Sequence, residues 1–139
     1  MDYDKCSTLA NDSTIVVQEN RSRFELKNPE RKYFQKIEVD GCLIGDGVEK
    51  CDWIIASEKP KQRVLYIELK GCDIDKAISQ LKSTLSHTKE RYRDYNRECY
   101  AVTTRIPKHG PSIRKKCLDF YRSTKATLSV KNIKASVLG

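Results

Sequence analysis

An α/β domain with a mixed β-sheet is the fold class this sequence predicts, on three observations. Its first half carries β-forming runs with partial alternation, from Thr14 to Leu69. After Gly71 the apolar spacing turns helical. A further strand and a second helical stretch then follow. At 139 residues, 38% hydrophobic and 33% charged, the chain matches one modest core.

The strands come first. Thr14 to Val17, Arg23 to Lys27 and about Tyr33 to Ile44 are rich in β-formers. Gly45-Asp46-Gly47 is a turn signal that reverses the chain into Cys51 to Ala56. Glu58 to Gln62 makes a second turn, leading into Arg63 to Leu69. Ile74, Ala77, Ile78, Leu81 and Leu85 share one helical face, with Asp73 as N-cap. Cys99 to Thr103 reads as another strand, and Pro107 to Pro111 as a loop. Ser112 caps a helix that turns Ile113, Cys117, Phe120 and Tyr121 inward. A last short strand falls near Leu128 to Val130 or Ile133 to Val137. Residues 1–12 are expected to be loose.

Lys and Arg number 27 against 19 Asp and Glu, a net charge of +8 that favours a polyanionic partner. No run approaches the roughly 20 apolar residues that span a bilayer, so no membrane partner is expected. The start, Met1-Asp2-Tyr3-Asp4-Lys5, lacks the basic and apolar stretches of a secretory signal, and a cytoplasmic location is the expectation. The six cysteines are scattered without a CxxC pair, which speaks against a zinc ribbon or an iron–sulfur cluster. Reduced, mostly buried thiols are expected.

One stretch carries chemistry. Asp52 precedes one apolar run, and after fifteen intervening residues Glu68-Leu69-Lys70 ends another. On a strand Glu68 and Lys70 project from one face and Leu69 from the other. A strand end reaching solvent is the plain reading of such a pattern. Asp52 with Glu68-Leu69-Lys70 also resembles the signature of the PD-(D/E)XK nuclease superfamily, over about residues 37–105. Strand, turn, strand, helix and strand follow in the order of that family's core, in its RecB-like and Holliday-junction-resolvase-like members. The resemblance implies a restriction-endonuclease-like mixed sheet flanked by helices; the β-rich N-terminal half is read from the residues and does not resemble the resolvases. It implies one nuclease-like domain over 1–139, with its core at about 37–130. It assigns catalysis to Asp52, Glu68, Lys70 and Gln80, and Mg²⁺ (or Mn²⁺ in its place) to Asp52, Glu68 and the Leu69 carbonyl. Hard cations take carboxylate and carbonyl oxygens, and a lysine beside them can orient the attacking water. Two departures stand out: Cys51 replaces the motif's proline, and no N-terminal helix supplies an upstream glutamate. Glu38, Asp40 and Glu49 are its candidate substitutes, each more simply a surface acid.

Two basic regions frame these residues. Arg91, Arg93 and Arg97 alternate with Tyr92 and Tyr95, a pattern suited to phosphate contact and base stacking. Arg105, Lys108, Arg114, Lys115 and Lys116 surround a loop and a helix start. His109, in that loop, reads as an ordinary surface residue. The expected function is a Mg²⁺-dependent DNA endonuclease of phage defence, restriction or recombination. DNA is the expected partner with RNA left open, alongside a homodimer or a larger defence complex. The alternative is a catalytically silent nucleic-acid- or partner-binding module with the same fold, and a third reading is an RNase.

Overall fold

The computed structural model describes residues 1–19, 21–105 and 110–139, the side chains at 70, 110 and 111 excepted. They form a mixed α/β fold with two β-sheets and two helices. The larger sheet runs β1 (Ser7–Ala10), β4 (Phe34–Glu38), β5 (Trp53–Ser57), β6 (Arg63–Gly71), β7 (Asn96–Thr103), β8 (Thr127–Asn132). The first four strands pair antiparallel, and β6, β7 and β8 pair parallel. Parallel neighbours need crossovers. Helix α1 (Ile74–His87) leads from β6 to β7, and α2 (Gly110–Thr124) from β7 to β8. The smaller sheet has the order β2 (Thr14–Glu19), β3 (Ser22–Lys27), β9 (Lys134–Leu138).

These elements make three layers around two cores. Alternation along β6 sends Val64 and Tyr66 toward the helices, where they pack with Ile54, Ala77, Leu81 and Phe120. It sends Leu65, Ile67 and Leu69 toward the smaller sheet, against Ile15, Val17, Phe24 and Leu26. Helix α1 starts at Asp73, whose carboxylate accepts the Lys76 N–H, and buries Ala77, Leu81, Thr84 and Leu85. At Ile133, with φ of 64°, the chain leaves the larger sheet for the smaller one. Backbone bonds from Ile133 N–H to Thr103 and from Arg23 N–H to Ile133 carry it across. Among the described residues no helix is long and apolar enough to cross a membrane.

The structure departs from the sequence expectations in several places. The strand expected from Tyr33 to Ile44 stops at Glu38. Gly41, with φ of 91°, and a bridge between Asp40 and Ile44 fold the chain back. Ser7–Ala10, expected to be loose, pairs with β4 as an edge strand. Cys6 and Cys42, expected as thiols, form a disulfide that holds this strand to the β4–β5 loop. Cys51 and Cys99 are buried thiols, Cys117 is half-buried and Cys72 is exposed. Tyr121, expected inward, lies on the outer side of α2, because Ile113, Cys117 and Phe120 already fill its inner stripe.

Glu25, on β3, ties the smaller sheet together electrostatically. Its carboxylate meets Arg23 at 2.6 Å, and Lys27 and Lys134 at 3.2 Å each. The Arg23 hydrogen bond, outweighing burial and helped by both lysines, holds its pKa down to about 2. A depressed carboxyl stabilises the fold above its ordinary 4.5 and loses that contribution as pH falls toward 2. Glu25→Gln is therefore expected to melt lower than wild type at pH 7. Its thermal midpoint should decline less steeply on acidification, as circular dichroism melts across that window would show.

Candidate functional site

From Val64 to Leu69 strand β6 is buried on both faces, and near its end it carries a carboxyl. There Glu68, 6% exposed, lies beside Asp52, 7% exposed, from the start of the neighbouring β5. The antiparallel register of β5 and β6, with Trp53 opposite Ile67, makes them neighbours. Asp52 is held firmly: its N–H donates to Ile67 O, and its Oδ2 accepts the Leu69 N–H at 2.7 Å. With Asp40, Leu69, Lys76, Gln80 and the stretch from Gly71 to Asp73, Asp52 and Glu68 line a pocket of about 270 Å³ at the N-terminus of α1. Asp52, Glu68, Leu69 and Gln80 thus share one pocket; the Lys70 side chain lies outside the described residues.

Electrostatics sets what this pocket can do. Burial pushes the Glu68 carboxyl well above the usual carboxylate range; the charge of Asp52 and a hydrogen bond to it push it further. The charges of Glu19 and Asp40 act in the same direction. Burial and the neighbouring acids thus favour the protonated form of Glu68, which relieves its repulsion with Asp52. Its Oε1 is buried without a hydrogen-bond partner among the described residues.

This corrects the expected chemistry. Among the described residues, no group of three or more His, Cys, Asp or Glu side chains is arranged to hold a metal ion. The Mg²⁺ or Mn²⁺ site at Asp52, Glu68 and Leu69, and with it the metal-dependent endonuclease or RNase, is overturned by that geometry. Of the acids weighed as an upstream partner, Asp40 lines the pocket, whereas Glu38 and Glu49 do not. Glu19, at the end of β2, was missed: the β-run seemed to end at Val17, and its approach to Glu68 is purely tertiary.

The basic residues divide in the same way. Arg91 lays its guanidinium 3.9 Å over the Tyr3 ring, and Arg93 pairs with Glu90. Arg97 lies on β7 and donates to Thr124 O at 3.3 Å, at the end of α2. Lys116 is bound to Asp75 at 2.5 Å and joins the two helices. Arg105, Arg114 and Lys115 are exposed, whereas Lys108 and His109 lie outside the described residues. Tyr92, expected to stack on bases, is 1% exposed and packs edge-on against Tyr3, Tyr66 and Tyr95. It is a core residue.

A carboxyl whose pKa is raised by folding stabilises the fold fully below its unfolded pKa and loses that contribution as pH rises through the folded one. Glu68→Gln, which cannot ionise, is expected to remove the decline in thermal midpoint between pH 5 and 8. Asp52→Ala leaves the buried Leu69 N–H without its acceptor and should cost about 1–3 kcal/mol near pH 5, and less near pH 8, because the charge that raises Glu68 is gone. Urea denaturation of both variants at two pH values checks the pair; a Glu68→Gln curve parallel to wild type would show that Glu68 is ionised.

Comparison with known proteins adds no relative to this geometry: no protein-family model, no curated protein and no solved structure matches the chain.

Proposed function

We propose that this chain is a nucleic-acid-binding module that acts by binding, on a scaffold resembling the PD-(D/E)XK core. The resemblance is supported by Asp52 ahead of β5, Glu68 near the end of β6, and the crossover through α1 to a parallel β7. The observation that carries the binding reading is the outer stripe of α2. Arg114, Lys115, Leu118, Tyr121 and Arg122 are all exposed along this 15-residue helix, with Lys125 just beyond it. Spacings of four and three residues put Arg114, Leu118 and Tyr121 on one face. On this stripe Asp119 lies 3.9 Å from Arg122, and Asp75 is taken by Lys116, so Arg114 and Lys115 are left to meet phosphates. Leu118 and Tyr121, 54% and 49% exposed, lie between cations, where sugars and bases meet a bound strand. The acid-lined pocket repels phosphate, which directs a polyanion to α2. DNA is the polyanion we assign, and RNA offers the same phosphates.

Binding to a short DNA duplex is expected to weaken linearly in log[salt], each phosphate contact contributing a slope of roughly −0.9. Arg114→Ala with Lys115→Ala should flatten that slope by about one to two. A metal chelator should change nothing, and Asp52→Ala should bind as the wild type does at a temperature where both are folded. Fluorescence anisotropy with a labelled duplex measures all of these. Affinity independent of salt would overturn the reading and leave an acidic protein as the partner of this helix.

A further inference from the structure

The helical layer does not cover the whole of the larger sheet. Helix α1 packs on β6 and β7, and α2 on β8. Toward the other edge, β1, β4 and β5 keep a cleft of about 520 Å³ open. Ala56 and Gln35, opposite each other in register, belong to its lining. Leu9 and Tyr33 form its rim at 70% and 61% exposure, large apolar surfaces for residues with no role in either core. Tyr95 lines it too, its hydroxyl donating to Glu58 at 3.2 Å. Three cations, Lys32, Lys59 and Arg91, face a single acid, Glu58.

We infer that this cleft takes unpaired bases of a single-stranded nucleic acid, with Tyr33 as stacking platform and Lys59 and Arg91 on the adjoining phosphates. The inference rests on the nucleic-acid reading and deepens it by naming the strand state recognised. Charge complementarity selects the occupant: an aromatic and aliphatic lining ringed by cations fits a flat, uncharged base on an anionic backbone. Paired bases in a duplex do not present their faces, so Leu9 and Tyr33 have nothing to cover there. Arg91 lines the cleft, and Arg97, six residues on at the start of β7, donates to the carbonyl of Thr124 at the end of α2.

The test uses the full chain, a 12-nucleotide single strand and the corresponding duplex, in fluorescence anisotropy at several salt concentrations. Tyr33→Ala is expected to weaken single-strand binding by roughly 5- to 150-fold, the range for losing one stacked base. Its salt slope and its duplex affinity should match wild type. Lys59→Glu is expected to weaken single-strand binding and flatten its slope. Tyr33 is largely exposed, so its loss leaves the fold intact, which a thermal melt verifies. If Tyr33→Ala binds the single strand as wild type does while duplex binding persists, the cleft assignment is wrong and the reading of α2 stands. If wild type binds neither nucleic acid, both are overturned. A glutamate-rich peptide that binds in a Tyr33-dependent way and displaces the single strand would overturn the assignment in favour of a protein partner.

Discussion

Everything in this fold hangs on one strand that water reaches from neither side. From Val64 to Leu69, β6 is at most 6% exposed. Its alternate side chains feed two separate cores, and its edges are taken by β5 and β7. Shifting its register by one residue would move Glu68 into the apolar layer against the smaller sheet and turn Leu69 toward the pocket. The cost of burying a carboxyl among Phe24, Leu26 and Val102 fixes the pairing, and with it the meeting of Asp52 and Glu68.

The same burial explains why two carboxyls can lie together at all. Side by side in a poorly solvated site they cannot both be ionised, and a single proton removes most of the repulsion. The net positive charge of the chain is therefore expressed elsewhere: on the outer face of α2, along the segment before β7 and around the sheet edge at β1 and β4. Opposite charges meet where elements are tied together: Glu25 with Arg23, Lys27 and Lys134 in the smaller sheet, and Lys116 with Asp75 between α1 and α2.

How much of this was legible beforehand depended on the range of the interactions. The pairing of Asp52 with Glu68 could be read because a strand, a short turn and a strand leave one neighbour to choose. Helix α1 could be read from its apolar spacing and its Asp73 cap. Glu19 could not, since its place beside Glu68 depends on how the smaller sheet lies across the larger one. Tyr92 misled because arginines on both sides of an aromatic suggest an exposed segment, while here the ring turns into a cluster of tyrosines. Tyr33 was hidden inside a run that looked like ordinary strand. The protonation of Glu68 follows from its surroundings and from nothing in the spelling of the motif.

The bridge between Cys6 and Cys42 reaches further than the loop it pins. Its ends lie 36 positions apart in the chain, and the β2–β3 hairpin lies wholly between them. The hairpin is thus part of a covalent ring, and β9, from the far end of the chain, is zipped alongside it through β3. A peptide bond cut anywhere from 7 to 41 would leave both fragments tethered through sulfur. While the bridge is closed, a nick in the hairpin turn does not set the smaller sheet adrift. Once thiols are regenerated, a nicked layer is held by packing, strand pairing and the ion cluster at Glu25.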